Sequence, residues 1–67
     1  METRLEMERR RRGLTQTELA ARARLSTSDV SKFENRRAVP YPGQAARLGR
    51  VLKVPADQLL EMVPCEG

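Results

Sequence analysis

Two helix-start signatures set close together constrain this chain more than anything else in it. Thr15-Gln16-Thr17-Glu18 has the form of a capping box. In such a box the threonine hydroxyl accepts from the third helical N–H, and the glutamate reaches back to the cap's own N–H. Ser26-Thr27-Ser28-Asp29 repeats the form with aspartate in the glutamate position. The helix opened by the first box runs to about Ala23, which leaves Arg24-Leu25-Ser26 as the join. Two helices joined by about three residues cross steeply, and the second projects a face outward.

The rest of the chain reads as further short helices, and no segment alternates as a strand would. Glu2 to Arg12 is rich in Glu, Arg, Met and Leu, all strong helix formers, and Gly13 is the expected stop. A fourth helix starts after Pro40-Tyr41-Pro42-Gly43, with Pro42 at its first position and Ala45, Leu48, Val51 and Leu52 as its apolar stripe. A short fifth is expected from about Ala56 to Met62, with Leu59, Leu60 and Val63 apolar. The expectation is an all-α bundle of five short helices in one domain over residues 1–67, with a short tail at 63–67. Leu14, Leu19, Ala20, Ala23, Leu25, Val30, Phe33, Leu48, Leu52, Val54 and Leu59 are the expected core.

Composition removes whole classes of chemistry. There is no His and a lone cysteine, Cys65, among the 67 residues. A Ser–His or Cys–His nucleophile is therefore impossible within the chain, and no metal cluster can be assembled. No Gly-rich phosphate loop is present. The chain reads as a non-enzyme with no cofactor and no metal. Cys65 has no internal partner, which fits a reducing cytoplasm. The longest apolar run falls far short of the roughly 20 residues of a membrane span. The charged N-terminus is unlike a signal peptide, and the first helix has too little apolar area to lie on a membrane.

The formal charge of +4 is unevenly placed. Residues 1–40 hold ten basic and six acidic groups, and residues 41–67 hold three of each. The excess lies where the two closely joined helices lie, which suits a polyanion. A charge bias of this size also fits an ordinary solvated face. The third helix adds weight to the first reading. Its outward positions are Thr27, Ser28, Ser31 and Lys32, small donors and one cation with no acid among them. A helix entering a DNA groove needs such a face.

At this point the residues resemble a family. Arg9-x-x-x-Gly13-Leu14-Thr15-Gln16-Thr17-Glu18-Leu19-Ala20 looks like the start of a Cro/C1-type (XRE-family) helix-turn-helix domain. Leu25-Ser26-x-x-x-Val30-Ser31-Lys32-Phe33-Glu34-Asn35 resembles that family's recognition helix and exit, and Leu48-x-x-x-Leu52-x-Val54-x-x-x-x-Leu59-Leu60 its last two helices. The match is gapless from about Leu5 to Leu60.

The resemblance implies a compact five-helix, lambda-repressor-like bundle and assigns roles. Thr27, Ser28, Ser31 and Lys32 fall at or beside base-reading positions, with Lys32 suited to guanine and the Thr27 methyl to thymine. Thr15 and Gln16 at the start of helix 2, and Asn35, Arg36 and Arg37 after helix 3, match phosphate contacts. Arg9 and Glu34 match a structural salt bridge between helix 1 and the end of helix 3. Leu60, Met62 and Val63 match a last helix that often joins two subunits. The chain departs from the family at Glu8, normally apolar, and at Arg24 and Lys53, where glycine is usual. Tyr41-Pro42-Gly43 is an unusual helix start.

These readings converge on a sequence-specific double-stranded-DNA-binding transcriptional regulator. It is expected to be a repressor that works as a homodimer in a bacterial or phage cytoplasm, at the nucleoid. The same fold also carries protein-interaction modules and antitoxin-like partners, and a regulatory protein partner is the alternative.

Overall fold

A computed structural model describes residues 1–64. In chain order the elements are β1 (Glu2–Thr3), α1 (Arg4–Arg11), α2 (Gln16–Ala23), α3 (Thr27–Glu34), α4 (Pro42–Leu52), a 3-10 turn (Ala56–Gln58) and β2 (Met62–Val63). Cys65, on which the redox reading rests, lies outside the described residues.

The helix starts follow local chemistry. Thr15 Oγ1 accepts from the Glu18 N–H at 3.0 Å, and Glu18 Oε1 accepts from the Thr15 N–H at 2.9 Å. Ser26 and Asp29 make the same reciprocal pair at 3.0 and 3.4 Å. α1 has a cap that the sequence reading passed over: Thr3 Oγ1 accepts from the Glu6 N–H at 3.2 Å. α4 starts with Pro42 at its first position, and the Gln44 side chain accepts from the Tyr41 N–H at 2.9 Å.

All four α-helices end in the same way. A left-handed residue closes each one, and the next N–H reaches back to a carbonyl five residues earlier. The closing bonds are Leu14 to Arg9, Leu25 to Ala20, Arg37 to Lys32 and Val54 to Gly49, at 2.8–3.1 Å. Gly13 supplies the left-handed residue after α1 at φ 68°. The others are Arg24 at φ 58°, Arg36 at φ 58° and Lys53 at φ 57°. An L-residue pays roughly 1–2 kcal/mol for that conformation. The turn between α2 and α3 therefore keeps the backbone path that glycine would give it, with Arg24 bearing the strain.

The core is aliphatic with one aromatic ring. Leu5, Leu19, Ala20, Ala23, Val30, Phe33, Ala45, Leu48, Leu52, Val54 and Leu59 are buried together. Leu14 and Leu25, expected inside, are only partly buried against this cluster. α2 lies between α3 and α4, and its small Ala20 and Ala23 are both buried there. Gly49 permits the closest approach: a Cβ there would stand 2.5 Å from the Val54 carbonyl oxygen.

Two expectations need correcting. The bundle has four α-helices among the described residues, not five, and two short strands stand where none was expected. The segment from Ala56 makes a single 3-10 turn and then extends. The cause lies in the N-terminus. α1 begins at Arg4 rather than Glu2, and its first N–H groups need acceptors. The Arg4 N–H bonds the Glu61 carbonyl at 2.8 Å, and the Leu5 N–H bonds the Leu59 carbonyl at 2.9 Å. Glu2 and Thr3 then pair antiparallel with Val63 and Met62. That pairing holds Met62 and Val63 extended, and the bonds from Arg4 and Leu5 fix the segment before them against α1, so no fifth α-helix forms.

Candidate nucleic-acid interface

The orientation of α3 is set by a charged cluster at its end. Glu34, the last residue of the helix, is buried with its side chain 2% exposed. Arg9 from α1 meets it with two guanidinium nitrogens, Nε to Oε2 at 2.6 Å and Nη2 to Oε1 at 3.2 Å. The remaining Arg9 nitrogen donates to the Leu14 carbonyl at 2.8 Å. Gln16 Nε2 from α2 donates to Glu34 Oε1 at 3.0 Å. One carboxylate therefore ties three helices together, and a two-pronged guanidinium fixes its direction as well as its distance.

The expected base-reading residues lie along the free side of α3. At about 100° per residue, Ser28 and Lys32 form a row pointing away from the core; both are exposed. Thr27 and Ser31 flank that row on its Glu34 side, Thr27 exposed and Ser31 half-buried. Thr27 Oγ1 donates to Thr17 Oγ1 of α2 at 3.1 Å, which joins the two helix starts at the surface. Asp29 turns back to cap Ser26, so its charge is directed to the helix start.

The expected phosphate contacts divide into two groups. Thr15 and Gln16 sit at the start of α2. The capping box occupies the Thr15 and Glu18 N–H groups and leaves those of Gln16 and Thr17 outside the intrahelical ladder. The Gln16 side chain is half-buried and engaged with Glu34. Asn35, Arg36 and Arg37 are exposed at the other end of α3. Asn35 closes the helix, and the left-handed Arg36 turns the chain into the loop. Exposed Val39 and Tyr41 follow, at 77% and 75%. Sequence reasoning missed this apolar edge; an apolar residue between prolines was its only signal.

The overall geometry is that of two helices crossing at a tight turn, the second braced from behind and bare in front. Residues 3–62 match the family model described as Helix-turn-helix domain. The chain belongs to the helix-turn-helix domain family. It is also similar to the Uncharacterized HTH-type transcriptional regulator RghRB of Bacillus subtilis (strain 168), with 42% identity over 53 residues. That stretch covers 78% of this chain and 38% of the relative, so the chain spans well under half of that protein.

Elsewhere in this helix-turn-helix domain Arg10 and Arg12 have structural partners. Arg10 pairs with Glu2, which is 5% exposed. Arg12 pairs with Glu8 at 2.8 Å, one turn apart on α1, which gives a use to the glutamate noted above as a departure. Arg4 approaches Glu61 at 3.5 Å beside the β1–β2 pair. Leu60 is half-buried against the core, and Met62 and Val63 lie in β2 rather than on a helix. Met62 is 39% exposed.

The hydrogen bond from the Thr15 N–H holds the Glu18 carboxyl below the usual carboxylate range, helped by the Thr15 side chain and by Arg22 one turn on. The cap is thus an ionised one at neutral pH. No helix among the described residues is long and apolar enough to cross a membrane.

Proposed function

We propose that this domain is a sequence-specific regulator that inserts α3 into the major groove of double-stranded DNA, acts as a homodimer, and represses transcription. One observation carries the reading. α3 is braced by the buried Glu34 cluster on one side, while its exposed side offers Ser28, Lys32 and Thr27. A helix held this firmly, with its donors facing out, suits the reading of base edges.

In this reading Lys32 donates to guanine O6 or N7, the Thr27 methyl packs on thymine, and Ser28 and Ser31 supply adaptable hydrogen bonds. The start of α2 at Thr15 and Gln16 takes one phosphate through backbone N–H groups, since a helix N-terminus favours anions. Gln16 braces Glu34 as it does so. Asn35, Arg36 and Arg37 take phosphates on the far side of the groove. No bidentate Arg, Asn or Gln lies on the outward face of α3. Part of the specificity is therefore assigned to DNA shape.

The dimer contact is assigned to Leu60, Met62 and Val63. Among the described residues β2 pairs with β1 alone, which leaves its other edge without a strand beside the exposed Met62. An open edge with an apolar neighbour suits a second copy. The likeness to a regulator from Bacillus subtilis is consistent with this reading.

The test is selection of binders from random duplexes, followed by affinity measurements across salt. A palindrome with half-site centres about 34 Å apart is expected. Affinity should fall with salt at a log–log slope of about 0.9 per phosphate neutralised. Weak, salt-indifferent binding to every duplex would sink the proposal. A single stoichiometric protein partner without duplex preference would point to an interaction module instead.

A further inference from the structure

We infer that the recess between the end of α2 and the last turns of α4 is a binding site for a phosphate-class oxyanion, separate from the surface of α3. The recess holds about 260 Å³ and is lined by Arg22, Arg24, Arg47, Arg50 and Val51. Four guanidinium groups line it and no acid does.

Three of the four have no hydrogen-bonded partner, although Arg22 feels the Glu18 charge one turn away. The side chains of Arg22, Arg24 and Arg50 make no hydrogen bond or ion pair among the described residues. Glu18 is one turn before Arg22, but its carboxylate is turned to the Thr15 N–H. Arg47 forms a fixed wall: its Nε donates to the Ala23 carbonyl at 2.8 Å. That bond anchors one guanidinium at the end of α2 and leaves its terminal nitrogens as donors. Cations gathered this closely repel one another, and a bound anion relieves the repulsion.

The lining selects the class of ligand. At about 260 Å³ the recess lies just below the roughly 300–1,000 Å³ of pockets that enclose an organic ligand, so its charge rather than its volume chooses the occupant. Val51 is the sole apolar wall. A protein partner would want an apolar centre to its contact, which this recess lacks. Guanidinium forks match the oxygens of phosphate in pairs. The recess also stands apart from the proposed DNA face. Arg22 follows Thr17 by five positions, about 140° around α2, and Thr17 is the residue that touches Thr27 of α3.

The test titrates inorganic phosphate into the full chain at constant ionic strength, balanced with chloride. Backbone and arginine Nε–Hε signals are followed by NMR. Saturable shifts confined to Arg22–Leu25 and Arg47–Val51 are expected. The double variant Arg22→Gln/Arg50→Gln should keep its thermal melt and bind phosphate at least about tenfold more weakly. Shifts that never saturate and spread equally to Arg36 and Arg37 would overturn the proposal. So would a double variant that binds as the parent does, or an acidic peptide that fills the recess where phosphate does not. A duplex arm separates the sources of the phosphate. If duplex displaces phosphate from the recess, the group bound is a DNA phosphate. If both bind together, it belongs to a small molecule.

Discussion

The two halves of this domain are held together by different means. Around α3 the ties are made by side chains at a buried charge: Arg9 and Gln16 meet at the Glu34 carboxylate. Around α4 the Arg47 bond to the Ala23 carbonyl is joined by a backbone approach, in which the chain after Lys53 folds back so closely that Gly49 has no room for a side chain. A charged tie specifies direction, and in the proposed function α3 is where direction matters. A bare backbone contact specifies only closeness, which is enough to seal the far side of the core. Substitutions that remove one kind of tie without touching the other test this contrast.

Breaking the charged tie should have the largest effect. Glu34→Ala strands the Arg9 guanidinium in a site where its side chain is 12% exposed. Removing one partner of a buried pair costs about 3–5 kcal/mol. A domain of this length holds about 3–10 kcal/mol in total, so the variant should be partly unfolded at room temperature in urea titrations. Arg9→Ala combined with Glu34→Ala should lose less than the two single losses added, because no charge is left stranded. Additive losses would mean that the pair contributes nothing as a pair.

Gly49→Ala breaks the backbone tie. Its Cβ would meet the Val54 carbonyl oxygen at 2.5 Å, and backbone cannot turn aside as a flexible side chain can. A loss of roughly 1–3 kcal/mol is expected from such overpacking, read as a lower melting temperature. The α3 surface should keep its NMR signals in the folded fraction. If signals of α3 move as much as those of α4, the two halves are not independent.

Lys53→Gly sharpens the comparison by improving one side. It relieves a left-handed residue far from α3, and a gain of about 0.5–1 kcal/mol is expected after the entropy that glycine adds to the unfolded chain. Thermal melts check it, and a loss would mean that the Lys53 side chain does more than close the helix.

The smallest expected effect concerns pH. The carboxyl of Glu18 is held low in the folded state, so its contribution to stability is present at neutral pH and is lost as pH falls through the carboxylate range. Glu18→Gln should flatten the acid limb of the stability–pH curve. An unchanged acid limb would show that the cap does not depend on the charge.

Much of the fold was legible locally. Capping at Thr15 and Ser26 involves groups three residues apart, and Gly13 terminates α1 by its own backbone freedom, so those boundaries follow from neighbours in the chain. Apolar periodicity found most of the core for the same reason. The end of the chain was not legible in this way. Leu59, Leu60, Met62 and Val63 have a pattern that suits a helix, but Thr3 and Glu2, from the opposite end of the sequence, pair with Met62 and Val63 and hold them extended. The site was legible to a similar degree. The outward face of α3 could be read from its acid-free composition, whereas the engagement of Gln16 with Glu34 required both helices to be in place.

By itself the sequence determined the two capped helices, their short join, the absence of histidine chemistry and the concentration of positive charge in the first forty residues. Each of these depends only on residue identity or on contacts within one turn. The tertiary structure alone decided that the last segment becomes a strand, that Gly49 must be bare, and that four arginines from α2, its turn and α4 share one recess. Those outcomes depend on groups distant in sequence pairing with one another or sharing the same space, and no local pattern records such meetings.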